Sequence, residues 1–263
     1  MSRRLKIGVM LHAGADGRAA DTPEQARHAE QLGLDGIFVG DHLKPAGPYP
    51  ESVVVLAGAA GVTERIQLGF GVMILALRHP VWAAKQLAAL QHVSGGRVVL
   101  GVGTGGVMHG TEAWEAVGVP WAERGRRTDE ALALLPGLIR GETVELPWGA
   151  SITLSPSAEV PPILVAGNSP VALRRAIRHD AGWFTSMPTP EQIAASARRL
   201  PETAPIAVRA VAPLDTDETP AQAAERFAAY ADAGATWLVL STPDDWHAQW
   251  ELIAEAAMLL DHE

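Results

Sequence analysis

Eight short apolar runs, set apart by longer stretches of helical periodicity, constrain the fold of this chain most. They are Ile7–Leu11, Gly36–Val39, Ile66–Val72, Val98–Val102, Ile163–Ala166, Trp183–Phe184, Ile206–Val211 and Trp237–Leu240. Most are rich in Val, Ile and Leu with little polar alternation, as in strands buried on both faces of a parallel sheet. Between them one device recurs, in Thr22-Pro23-Glu24-Gln25, Thr189-Pro190-Glu191-Gln192 and Thr219-Pro220-Ala221-Gln222. Thr caps the first free N–H groups, Pro suits a first helical position that has no N–H bond to lose, and Gln reaches back to the cap. Thr242-Pro243-Asp244-Asp245 is a looser copy, and Gly33 and Gly234 supply stops just ahead of strands. Over Glu123–Ile139, Leu132, Leu135 and Ile139 form an apolar stripe, while Arg124, Arg126, Arg127, Asp129 and Glu130 supply a polar face.

Eight such alternations predict an α/β fold: a closed (β/α)8 TIM-like barrel, with residues 1–263 as one domain. An open doubly wound sheet competes. Its G-x-G-x-x-G fingerprint is missing after the first run, where Gly8 is followed by Met10, Leu11 and His12, and Gly14 and Gly17 come too late. Gly141–Val160 breaks the rhythm. It reads as a hairpin or irregular excursion before the fifth strand, either a surface decoration or a wall over the site.

Composition narrows the function. The chain has 21 basic and 30 acidic residues, a formal charge of −9, which argues against nucleic acid or an anionic membrane as partner. It has no cysteine, which excludes disulfides, thiolate metal ligands and a Cys nucleophile. No apolar run reaches the roughly 18 residues of a membrane helix. The basic start turns polar and Gly-rich by Gly14, without a signal-peptide core, so a cytoplasmic protein is expected. His12, His42, His79, His92, His109, His179 and His247 are scattered with no H-x-H or H-E-x-x-H pair, so no metal site is expected. A G-x-S-x-G elbow is also missing.

In an α/β barrel the chemistry gathers where strands end and helices begin. The second strand runs into Asp41-His42. His42 is either an acid/base or cofactor contact that Asp41 could orient, or a solvated loop residue beside a helix cap. The third carries Gly69 and Gly71; Gly71 either lets a flat ring lie against the backbone or serves barrel curvature. The fourth leaves through Gly101-Val102-Gly103-Thr104-Gly105-Gly106, which opens space and offers N–H groups but has no P-loop Lys-Ser/Thr. The fifth ends Ala166-Gly167-Asn168-Ser169-Pro170, where a capped helix start could receive a phosphate. Expected walls of a substrate pocket are His12, Met73, Met108, His109 and Trp183.

Together these segments resemble the bacterial luciferase-like superfamily of flavin- and deazaflavin-dependent oxidoreductases. The likeness lies in Ala29–His42, Leu68–Val72, Arg78-His79-Pro80 with Ala84-Lys85-Gln86, Ser94–Gly103, Glu123–Glu130 and Gly167–Pro170, in that order. It runs from the first strand to about Trp183, and Ser94–Gly103 and Glu123–Glu130 are its most specific parts. The resemblance implies a flavin or deazaflavin ring over the C-terminal rim, and a cis peptide at Gly71–Val72 supporting it from behind. It implies contacts from Asp41, His42, Gly103, Thr104, Gly105 and Ala166, and a phosphate at Gly167-Asn168-Ser169. In deazaflavin members the residue matching His42 is proposed to assist proton movement. Members often form dimers, so a homodimer is expected. One departure matters: sugar-phosphate dehydrogenases of the deazaflavin branch have an acidic residue where this chain has Gly106. Coenzyme F420 with a small organic substrate is the favoured expectation. The alternatives are an FMN-using monooxygenase, a non-catalytic flavin-binding protein, and an unrelated barrel enzyme acting on a phosphorylated metabolite.

Overall fold

The computed structural model describes residues 4–12, 21–43, 50–106, 110–202, 204–211, 218–242 and 246–260. Its strands are β1 (Lys6–Met10), β2 (Gly36–Val39), β3 (Gln67–Ile74), β4 (Val98–Gly103), β5 (Thr143–Glu145), β6 (Ser151–Thr153), β7 (Ile163–Ala166), β8 (Gly182–Ser186), β9 (Ile206–Val211) and β10 (Trp237–Ser241). Its helices are α1 (Thr22–Gln31), α2 (Ser52–Ala60), α3 (Pro80–Ser94), α4 (Glu112–Ala116), α5 (Arg124–Ile139), α6 (Pro170–Arg178), α7 (Pro190–Ala197), α8 (Pro220–Asp232) and α9 (Trp246–Leu260). Eight strands close into a parallel barrel in the order β1-β10-β9-β8-β7-β4-β3-β2, chain order once the β5–β6 hairpin is set aside. This is the (β/α)8 barrel. All eight apolar runs become its strands, and β8 is longer than its two-residue run predicts.

The strands carry two apolar layers because their side chains alternate between faces. Outward, Ile7, Val9, Leu68, Leu100 and Leu238 pack against helix residues such as Leu56, Leu87, Leu135, Phe227 and Trp250. Inward, Met10, Phe38, Val99, Leu164, Phe184, Ala207, Trp237 and Val239 fill the barrel. Phe38 lies edge-on to Trp237 at 5.5 Å and to Phe184 at 6.1 Å between ring centroids. Neighbouring strands give way to these rings. A Cβ on Gly69 would stand 2.1 Å from the Phe38 ring, and one on Gly36 2.9 Å from Trp237.

Two of the three Thr-Pro-x-Gln devices are capping boxes, at Thr189 with Gln192 and at Thr219 with Gln222. The first is not. Asp21 is the N-cap of α1, with no side-chain cap bond, and Gln25 instead accepts from His12 N at 2.8 Å and donates to His12 O at 2.9 Å. Its amide therefore clamps the exit of β1 to α1. The looser copy lies mostly outside the described residues.

The excursion is an antiparallel hairpin on the outer flank. β5 packs on α5, and the return segment is tied to α3, where Gln91 Nε2 donates to Glu159 O at 2.9 Å and Lys85 Nζ to Ser155 O. Its tip residue Trp148 meets His79 edge-on at 5.1 Å, at the start of α3. The hairpin thus braces the barrel's side and touches the rim only at its tip.

The polar face expected on α5 is partly internal. Asp129 binds Arg175 Nε at 2.7 Å and His179 Nε2 at 3.3 Å, and Arg175 is only 8% exposed. Burial opposes the Asp129 charge, but the Arg175 hydrogen bond and charge, with His179, outweigh it and hold this carboxyl below its ordinary range. No helix among the described residues is long and apolar enough to cross a membrane.

Candidate active site

The rim at the C-terminal ends of the strands has one irregularity. β3 pairs with β4 in register up to Phe70, then slips before Met73, and the Gly71–Val72 peptide between them is cis. A Cβ on Gly71 would face Met10 Sδ at 3.2 Å and Phe38 Cβ at 3.4 Å, so bare backbone is presented above the inner core. Val72 turns its side chain toward that core as well.

The slip accounts for the glycines of β4. A Cβ on Gly101 would lie 2.1 Å from the Phe70 carbonyl oxygen, and one on Gly103 2.5 Å from Val72 Cγ2. Gly101 and Gly103 therefore give room to the neighbouring strand, where sequence alone suggested an open cradle for a ligand. Thr104 follows, partly buried. Gly105, at φ +72°, then folds over Trp114, whose ring would stand 2.7 Å from an added Cβ. Trp114 meets Trp121 edge-on at 5.2 Å, and the Arg124 guanidinium lies 4.0 Å from the Trp121 ring centroid. This stack walls the rim beside the β4 exit.

Asp41 is only 7% exposed, and its oxygens already have partners. Ile74 N donates to Oδ2 at 2.8 Å, Ser52 Oγ to Oδ1 at 3.1 Å, and Arg78 closes on both oxygens at 2.5 and 2.8 Å. Arg78 also donates to Glu51 Oε1 at 2.8 Å. Burial works against the Arg78 charge, yet Asp41 and then Glu51 more than offset it and keep the guanidinium firmly protonated. Asp41 was expected to be a cofactor contact. The structure gives its carboxylate to the framework instead. His42 is partly exposed, with its ring beside Gly40.

On the other side of β4, Gly167 at φ +129° turns β7 into α6. Ser169 caps α6 by accepting from Ala172 N at 3.3 Å. Asn168 is pinned to the end of β8: Nδ2 donates to Ser186 O at 2.6 Å, and Oδ1 accepts from Thr185 Oγ1 and Ser186 N at 2.9 Å each. Trp183 Nε1 donates to Gly167 O at 2.8 Å. Ala166, partly buried, borders the inner core. Gly167–Ser169 is thus a rigid turn with a helix start behind it, the arrangement that suits an anion. Arg175, in the second turn of α6, is committed to Asp129.

The expected pocket walls separate. Met73 is fully buried in the outer layer, and Trp183 is buried beneath the Gly167 turn; neither lines open space. His12 Nε2 lies 2.9 Å from Thr242 Oγ1, which also accepts from Trp250 Nε1 at 3.1 Å. Met108 and His109 lie outside the described residues. Beside the rim, a cavity of about 430 Å³ bordered by Leu75, His79, Val119, Arg127 and Trp148 had no signal in the sequence. Its arginines are all paired, Arg78 as above and Arg126 and Arg127 with Glu123 and Glu130, so it carries no surplus positive charge. Among the described residues, no group of three or more His, Asp or Glu could hold a metal ion.

Fold and rim together define a (β/α)8 barrel whose third strand breaks register at the open mouth. The chain belongs to the luciferase-like monooxygenase family, whose model matches residues 4–261. It is 39% identical over 169 residues to an F420-dependent glucose-6-phosphate dehydrogenase of Beutenbergia cavernae, covering 59% of this chain and 49% of that protein. The match therefore spans about half the length of that relative. An F420-dependent secondary alcohol dehydrogenase in complex with an F420-acetone adduct superposes at TM-score 0.79, with 18% identity over 97% or more of both chains (98% of this chain and 99% of that one). The oxygenating constituent of 3,6-diketocamphane monooxygenase from Pseudomonas putida, in complex with FMN, also superposes at 0.79, with 18% identity over 97% and 98% of the two chains. At such identities the superpositions establish the fold.

Proposed function

We propose that the protein is an F420-dependent oxidoreductase that moves hydride to or from a small organic substrate at the C-terminal mouth of the barrel. The carrying observation is the placement at that mouth, with only β4 between them, of the bare Gly71 backbone on β3 and the rigid Gly167–Ser169 turn after β7. The first suits the face of a flat ring and the second an anionic tail. Similarity to F420-dependent relatives supports the deazaflavin over FMN. The same barrel accommodates FMN in a monooxygenase, which keeps an FMN- and O2-dependent oxygenation as the second reading.

The residues present fit such a group. Gly71 and Val72 would support the ring, Thr104 and Gly105 would border it, and Ser169 with the first N–H groups of α6 would hold the phosphate. When bound, the coenzyme supplies the carbon that carries the hydride. The chain orients it, and the apolar floor of Met10, Phe38, Val72 and Phe184 keeps water from its underside. His42, at the exit of β2, holds or delivers the substrate proton, since an imidazole changes charge near neutral pH. Among the described residues no atom lies within 4 Å of a Cβ added at Gly106, and a glycine offers no carboxylate to a sugar hydroxyl. An uncharged carbonyl or alcohol therefore suits the mouth better than a sugar phosphate.

Titration of the purified chain with F420 and with FMN, followed by fluorescence quenching, tests this reading. F420 binding with substrate-dependent change in its absorbance is expected. FMN binding with O2-dependent turnover establishes the second reading, and binding of neither coenzyme refutes both. His42→Ala should lower hydride transfer far more than coenzyme affinity; equal loss of both would make His42 a contact alone.

A further inference from the structure

We propose that Arg78 is a positioning residue for the coenzyme ring, acting through Asp41 on the Gly71–Met73 segment. This rests on the proposed function, in which that segment backs the ring. The β2–β3 ladder ends at Val39 with Phe70. Beyond it, Gly71, Val72 and Met73 have no ladder partner on β2, and the next link across this gap is Ile74 N donating to Asp41 Oδ2 at 2.8 Å. A side-chain carboxylate thus takes over from the backbone where β3 slips. One buried carboxylate with no cation beside it is unfavourable. Arg78, four residues past Ile74, supplies the cation and grips both oxygens in a fork. Ser52 Oγ adds the start of α2 to the same carboxylate, and Glu51 orients the far side of the guanidinium. The charged and titratable groups around Asp41 are therefore Arg78 and Glu51, with His42 next in the chain. Arg78 belongs to a segment that sequence likeness singles out, and although it borders the cavity beside the rim, its guanidinium is committed to this knot.

The test is a coenzyme titration of the full chain with F420 and FMN as probes, on three proteins. Arg78→Met should weaken binding by about 10-fold or more, because a buried charged acceptor loses its partner. The double variant Asp41→Asn with Arg78→Met should recover affinity to within about 3-fold of wild type, since the amide oxygen still accepts from Ile74 without a stranded charge. A merely structural role for Arg78 would lower thermal stability without this rescue of coenzyme affinity. Unchanged affinity in Arg78→Met, or a loss that Asp41→Asn does not rescue, overturns the positioning role while the proposed function survives. A wild-type chain that binds neither coenzyme overturns both.

Discussion

Gly101→Ala is the sharpest probe of how the rim is built. The added Cβ would fall 2.1 Å from the Phe70 carbonyl oxygen, with Phe184 Cδ1 and Val72 Cγ1 each at 3.1 Å. Carbon and oxygen pack at about 3.3 Å or more, so something must move by more than an ångström. The obstructing atom is backbone, and no rotamer change clears it. Either β3 and β4 part or the slipped segment shifts as a unit. Overpacking a rigid core costs about 1–3 kcal/mol, and this contact lies at or above the top of that range. At about 2–4 °C per kcal/mol for a chain of this size, Tm should fall by at least about 6 °C. Coenzyme affinity should fall with it, because Phe70 leads directly into Gly71. The control is Gly103→Ala, whose Cβ would clash with Val72 Cγ2 at 2.5 Å while Val72 Cβ and Gly105 N stand at 3.6 and 3.9 Å. That clash ends in a methyl group, so Val72→Ala should rescue Gly103→Ala and leave Gly101→Ala unrescued. Differential scanning fluorimetry and coenzyme titration read both quantities. A Gly101→Ala protein with wild-type Tm and affinity would refute the packing argument.

Three other outcomes follow from particular contacts. Asp129→Asn should lose about 2 kcal/mol at neutral pH; the loss is moderate because the Asp129 side chain is 27% exposed. Its carboxyl is held below the ordinary value of 3.8, so as pH falls the unfolded chain takes the proton first. The wild-type advantage is therefore full above that value and disappears as pH drops through the folded one, which urea unfolding across the acid range would show. His28 behaves in the opposite chemical sense: burial, then His247, lowers its pKa from 6.5, and its buried Nε2 finds no hydrogen-bond partner among the described residues. The unfolded chain protonates His28 first, so Tm should fall between about pH 7 and pH 5, less steeply in His28→Gln; parallel slopes would dismiss His28 as the source. Trp183→Phe removes the bond to Gly167 O, worth about 1 kcal/mol, and should weaken coenzyme binding about 5-fold; unchanged affinity would detach Trp183 from the phosphate turn.

The barrel was legible in the sequence because its signals are local. Val, Ile and Leu runs, Thr-Pro-x-Gln starts and stopping glycines each concern a few consecutive residues, and eight repetitions leave one economical closure. The errors come where a side chain answers to a partner far along the chain. Gln25 has the spacing of a capping residue, but the backbone of His12, just past the end of β1, takes its amide. Asp129 falls on a helix face that looks solvated until α6 brings Arg175 against it, 46 residues on. Met73 follows a glycine strand end as a pocket wall would, but the register slip turns it into the outer core.

The same distinction sorts the segments by which the family is recognised. Ser94–Gly103 is among the most specific of them, yet Arg97 donates to Ser94 O, Thr63 O and Oγ1, Ile66 O and Ala60 O, at the closed end of the barrel. It ties the end of α2 to the starts of β3 and β4. Asp41 and Arg78 lie at the open end and do likewise for the slipped segment. A recognisable motif here marks places where several backbone strands depend on one side chain, and such places are as often beneath the mouth as in it. The residues that would touch a ring offer little to recognise, since their contribution is bare backbone at Gly71 and a tight turn at Gly167. In the proposed function, substrate choice then rests with side chains such as His12 and His42, partly exposed at the exits of β1 and β2, and substitution of His12, unlike substitution in the motifs, should change which substrate is accepted while leaving coenzyme affinity intact.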